Sequence, residues 1–147
     1  MYNKIFFRKI FCLSRLTHKI LNHGSDDKLI GSGQFSFLMF LFRHGDGKSQ
    51  YQISQNLNLD KTTTTRTLKK LEDKGYIRKE HDSEDKRIFR IYLTEKAYSV
   101  EEKLKDYSDS VYTKITKDIS EKDLEIFMKV TDQIINNIKI YDKTEDF

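Results

Sequence analysis

The chain has 147 residues, 37% hydrophobic and 34% charged, with no proline, six glycines and one cysteine. That is one domain's worth of chain, too apolar for disorder and too poor in breakers and cysteines for a collagen, low-complexity or disulfide-framework protein. The net charge of +4 is unevenly spread: residues 1–60 carry 8 basic and 4 acidic groups, 61–90 carry 10 and 6, and 91–147 carry 9 and 13. A basic front and an acidic back suit a protein that orients itself on a polyanion.

Apolar residues at 6, 10, 13, 16 and 20 give Ile5–Leu21 a helical stripe. Arg8, Lys9 and Arg15 interrupt it, so it does not read as a signal peptide. The run 22–27 (Asn-His-Gly-Ser-Asp-Asp) supplies a turn, and Ser32 is the expected cap of a helix over 33–44. That helix is apolar nearly all round and should run through the domain centre. Its apolar stretch, Phe35–Phe42, is far shorter than the ~20 residues of a membrane span. With the single Cys12, this predicts a soluble, cytoplasmic protein that makes no membrane contact.

Gly45-Asp46-Gly47 ends the helix, and Ser49 with Gln52 forms a capping box for a short helix bearing Ile53 and Leu57. After Asn58-Leu59, Asp60 caps a helix from Lys61 to Lys74 that stops at Gly75. Tyr76–His81 and Ile88–Leu93 read as two strands, with Asp82–Arg87 as the hairpin tip. Beyond Thr94 the pattern returns to helix: residues 100, 104, 107, 111 and 115 form one stripe, and Leu124, Phe127, Ile134, Ile138 and Tyr141 another. Ser120–Asp123 breaks the run and caps the last helix.

A short capped helix, a three-residue turn and a longer helix match a helix-turn-helix. In the second helix Thr64, Leu68 and Leu71 share the inner face. Thr62, Thr63, Arg66, Lys69 and Lys70 lie opposite, with Lys61 at the helix start. Four consecutive threonines are poor helix formers, so stability alone does not account for Thr62–Thr65. Threonine suits a major groove, and Arg66 could grip guanine in bidentate fashion. Arg87, flanked by acidic residues that could hold its rotamer, could enter a minor groove.

The run Asp85-Lys-Arg87 followed by an apolar strand and Leu93-Thr94 resembles the wing of the MarR family of bacterial transcriptional regulators. Residues 60–77 are similar to that family's recognition helix and the start of its hairpin, and Gln34-Phe35 matches its central helix. The departure is Gly31-Ser32, where many members have Thr and often Pro. The resemblance implies a mainly α fold with a small β-hairpin wing. A winged helix-turn-helix lobe over 31–94 would lie between dimerisation helices over 1–30 and 95–147, all in a single domain. It implies a homodimer that binds double-stranded DNA at a pseudo-palindromic operator, as a repressor. Thr62, Thr63, Arg66 and Lys70 would face the groove, Arg87 would reach the minor groove steadied by Asp85, and Ser49 and Gln50 would approach phosphate. Lys69 and Lys70, near the helix end, also suit phosphate.

Many members of the family respond to a small-molecule effector, and Phe11, Phe37 and Phe40 are candidates to line its cleft. Cys12 lacks the aromatic neighbours of redox-sensing relatives and reads as a packed helical cysteine. His18, His23, His44 and His81 are dispersed, without metal-ligand spacing, and no catalytic motif appears. The expectation is no cofactor, no metal and no enzyme. A winged-helix module that binds protein in place of DNA is the alternative.

Overall fold

The computed structural model describes residues 2–23, 30 and 33–144. The expected turn at 22–27 falls largely, and the expected cap Ser32 wholly, outside the described residues. In chain order the elements are α1 (Tyr2–His23), α2 (Gln34–His44), β1 (Lys48–Ser49), α3 (Gln50–Leu57), α4 (Lys61–Asp73), β2 (Ile77–His81), β3 (Phe89–Leu93), α5 (Glu95–Ile115) and α6 (Glu121–Thr144). The fold is mainly α with a small antiparallel β wing. The chain divides into two compact units, Met1–Val111 and Tyr112–Phe147.

In the first unit, α2 supplies the centre. Phe37, Leu38 and Leu41 are buried in one cluster with Ile53, Leu68 and Leu71. The residue before α2 is Gly33, left-handed at φ 81° with no side-chain cap, and Gly45 closes the helix by donating its N–H to the Leu41 carbonyl at 2.8 Å. The capping box is present: Ser49 Oγ accepts from the Gln52 amide at 3.2 Å while Gln52 Oε1 accepts from the Ser49 amide at 2.9 Å. Asn58, left-handed at φ 51°, turns the chain from α3 towards α4.

The sequence pattern predicts two strands; among the described residues there are three, in the order β1-β3-β2. The additional strand is the two-residue β1, which pairs Lys48 with Ile91 and Ser49 with Arg90. It forms because Gly47, at φ 80°, brings its N–H to the Ile91 carbonyl at 2.9 Å. In β3, Ile91 and Leu93 are buried, but Phe89 is exposed because the hairpin extends past the lobe.

Thr94 joins the wing to α5. Its hydroxyl donates to the Gly75 carbonyl at 2.6 Å and accepts from the Ala97 amide at 3.3 Å, capping the helix. Of the expected α5 stripe, Leu104 and Val111 are buried, Val100 and Tyr107 are half-buried and Ile115 is exposed. The Tyr107 hydroxyl donates to the Ile20 carbonyl at 2.5 Å, tying α1 to α5. The rest of the α1 stripe stays exposed, Phe6, Ile10, Leu13 and Leu16 included.

In the second unit, Ser120 Oγ accepts from the Asp123 amide at 3.1 Å and starts α6 as expected. That helix also carries exposed apolar residues, among them Phe127, Met128 and Ile138. No described helix is long and apolar enough to cross a membrane.

Leu68 is fully buried on the inner face of α4. Leu68→Ala is expected to lower the unfolding free energy by about 2–5 kcal/mol in urea titrations. A loss under about 1 kcal/mol would show that the site does not depend on this packing.

Candidate nucleic-acid interface

Asp60 fixes the start of α4. Its carboxylate accepts from the Thr63 amide at 2.8 Å and from the Thr63 hydroxyl at 2.6 Å. The Thr63 hydroxyl, followed by the backbone amide, holds the carboxyl below its usual range. Thr64 donates its hydroxyl to the Asp60 carbonyl and Thr65 to the Lys61 carbonyl, both at 2.8 Å. Three of the four threonine hydroxyls therefore donate within the helix start itself, which tempers the poor helix propensity of the run. Thr62 differs: it is exposed, and its hydroxyl has no partner among the described residues. Gln50 Nε2 donates to Thr65 Oγ1 at 2.5 Å, linking the first turn of α3 to that of α4.

With Thr64, Thr67, Leu68 and Leu71 buried, the outward face of α4 is set. Lys61, Thr62, Thr65, Arg66 and Lys69 surround a shallow depression of about 420 Å³. Lys61, Arg66 and Lys70 are exposed and make no ion pair among the described residues. Lys69 is different, because its ammonium lies 2.7 Å from Asp73 Oδ1 one turn on. That hydrogen bond raises its pKa, though an exposed pair of this kind contributes little to stability.

The wing holds its own arginine outward. Arg87 donates from Nε and Nη2 to the two oxygens of Asp85, each at 3.0 Å, while its side chain remains 90% exposed. The Arg87 guanidinium, then its amide, keeps the Asp85 carboxyl below the usual range. This is the ion pair expected from the sequence, with bidentate geometry. Behind it Asp82 Oδ1 accepts from the amides of Glu84 and Asp85 at 2.9 and 3.0 Å. Asp82 Oδ2 accepts from Arg90 Nε at 2.6 Å. The Asp85 amide, the Arg90 guanidinium and the Glu84 amide lower the Asp82 pKa from 3.8 to about 2.

A family model, MarR, matches residues 30–89. A MarR transcriptional regulator from Methanosarcina mazei Go1 is 32% identical, with a TM-score of 0.82 over 93% of this chain and 99% of that one. The chain belongs to the MarR family. Members are transcriptional regulators and not enzymes. An HTH-type transcriptional regulator of Bacillus subtilis (strain 168) is 31% identical over 93 residues, 63% of this chain; the match spans 61% of that relative's length. A MarR-family regulator from Listeria monocytogenes, solved in complex with 26mer DNA, shares the fold. Its TM-score is 0.85 at 22% identity, over 96% of this chain and 95% of that one.

Within this MarR fold Ser49 ends β1 and caps α3, Gln50 opens α3, Lys61, Thr62, Thr63, Arg66, Lys69 and Lys70 lie on α4, and Asp85 and Arg87 lie at the wing tip. The three effector candidates are not brought together. Phe37 and Phe40 are both buried in the core cluster, at 1% and 8% exposed, and of the two Phe40 also borders a cleft of about 640 Å³ with Phe35, Met39 and Leu57. Phe11 lies elsewhere, 68% exposed on α1 beside Cys12 and Arg15. Sequence reading missed Asp82, Arg90 and Gln52 as a connected group. Arg90 presented itself only as a polar residue alternating in a strand, while its partners are 8 to 43 residues away.

Because the Asp82 pKa falls on folding, its ionised form stabilises the fold above pH about 4, and that contribution is lost as pH falls towards 2. Asp82→Asn should therefore flatten the fall of the urea midpoint between pH 4 and 2. An unchanged acid limb would mean that the Asp82 carboxylate is equally ionised in the unfolded chain.

Proposed function

We propose that this chain is a sequence-specific, double-stranded-DNA-binding transcriptional regulator that acts in the cytoplasm as a homodimer on a pseudo-palindromic operator. The observation that carries this reading is the outward face of α4, where Lys61, Arg66 and Lys70 are exposed and make no ion pair among the described residues, on a helix whose other face is locked into the core. Arg87, held out at the wing tip by Asp85, adds a second cationic point. The Listeria regulator solved with DNA has the same fold and supports the reading.

Lysine and arginine against phosphate supply affinity that falls with salt, while Arg66 and Thr62 read base edges in the major groove and Arg87 enters the minor groove. Thr63 turns its hydroxyl to Asp60 and so offers the groove chiefly its methyl. Ser49 and Gln50, at the amino end of α3, approach phosphate. Dimerisation uses the exposed apolar residues of α1 and α6, which a chain of this length leaves uncovered. A bound dimer occludes the promoter and represses, and an apolar effector seated against Phe40 in the α2 cleft releases it. A protein-binding module would not need three cations on one helix face without an acidic partner among the described residues.

Arg66→Ala should cost about 1–3 kcal/mol of base discrimination at one position per half-site, measured by competition with singly substituted operators. Equal weakening on every sequence would make Arg66 a phosphate ligand. A gel shift on random duplex that weakens as salt rises is expected, and no shift at any salt concentration would remove the DNA reading. In sedimentation the protein should run at twice 17.5 kDa; a monomer at micromolar concentration would count against the dimer.

A further inference from the structure

The wing is longer than its support. The third strand, β1, pairs only with Arg90 and Ile91, so residues 82–88 project beyond it. A two-stranded hairpin is marginal by itself in water, and an arginine on its tip would sample many positions relative to α4. Arg90 lies at the boundary between the supported and unsupported parts. Its register partner in β2 is Glu80, but that carboxylate pairs with Arg78. Arg90 instead donates from Nε to Asp82 at 2.6 Å, and from Nη1 to the Gly47 carbonyl at 3.2 Å and Gln52 Oε1 at 3.4 Å. The side chains of Arg90 and Asp82 are only 32% and 13% exposed, so water screens the pair less than it screens the ion pairs at the surface.

These bonds join two ends that are far apart in sequence. On one side Asp82 receives the Asp85 amide, and Asp85 grips Arg87. On the other, Gln52 Oε1 also receives the Ser49 amide, closing the cap of α3. A continuous run of hydrogen bonds therefore leads from the wing-tip guanidinium to the amino end of α3. We propose that Arg90 is a positioning residue for DNA recognition: it braces the wing against the start of α3, so that Arg87 and the outer face of α4 reach the duplex at a fixed separation. The proposal rests on the DNA-binding reading above. Arginine suits the task because its planar fork serves an in-line carboxylate and two further acceptors at once, which a lysine ammonium does not reproduce. A braced wing loses less freedom on binding, so the brace acts on how long the complex lasts.

The test uses the full chain with Cys12→Ser and Ser83→Cys, a nitroxide spin label on the exposed position 83, and a duplex selected from a random-sequence pool by the parent protein. In the free parent the label should give a motionally restricted spectrum. Arg90→Gln, Arg90→Lys and Asp82→Asn should each sharpen it at a temperature well below that variant's own thermal unfolding midpoint, where circular dichroism shows it fully folded. On the duplex these variants should lose minor-groove protection at the flanks, keep major-groove protection at the half-site centres, and dissociate about tenfold faster. Unchanged label mobility in both Arg90→Gln and Asp82→Asn would overturn the brace. Sharpened spectra with flanking protection intact would overturn its role in recognition. Failure of the parent to select any duplex would instead sink the DNA reading, while the label spectra would still report on the brace.

Discussion

Everything on the outer face of α4 depends on the rotational phase of that helix, and two features set it. Leu68 and Leu71 fix which side faces the core, and Asp60 fixes where the first turn begins. A shift of one residue in the starting point would turn the helix by about 100°, carrying Arg66 off the outer face. The charge-assisted bonds from Thr63 to Asp60 oppose that slip at the helix end, where backbone amides otherwise lack partners. The buried leucines oppose it over the following two turns.

Much of this was legible in the sequence because it is local. The capping box of Ser49 and Gln52, the Asp60 cap, the stop at Gly75 and the Asp85–Arg87 pair each need residues only two to four positions apart, and each is present. The inner face of α4 followed from helical spacing. What escaped is non-local. A two-residue strand carries no alternation to detect, and β1 exists because Ile91, more than forty residues on, offers its carbonyl to Gly47. The bracing role of Arg90 likewise depends on acceptors from three separate segments.

The threonine run shows a subtler difference. The residue types pointed to a face rich in hydroxyl groups, but the helix start absorbs the donors of Thr63, Thr64 and Thr65. Chemical type alone did not reveal this, because the same hydroxyl can serve the helix backbone or an external ligand and only the rotamer decides. The aromatic candidates separated for a similar reason. Helical spacing placed Phe37 and Phe40 on α2 without stating that both join the core and that Phe40 also borders a cleft, far from exposed Phe11 in sequence.

The joint between the wing and α5 has a different character, because most of its bonds end on main-chain oxygens. The Thr94 hydroxyl reaches the Gly75 carbonyl, the Thr94 amide the Tyr76 carbonyl, and the Lys96 ammonium the Lys74 carbonyl. A peptide oxygen is present whichever side chain the residue carries. Those acceptors belong to Lys74, Gly75 and Tyr76, just past α4, where left-handed Gly75 and buried Tyr76 are constrained, while the outward side chains of α4 make none of these bonds and can be exchanged without touching them. The outer face of α4 is thus separable from its mount.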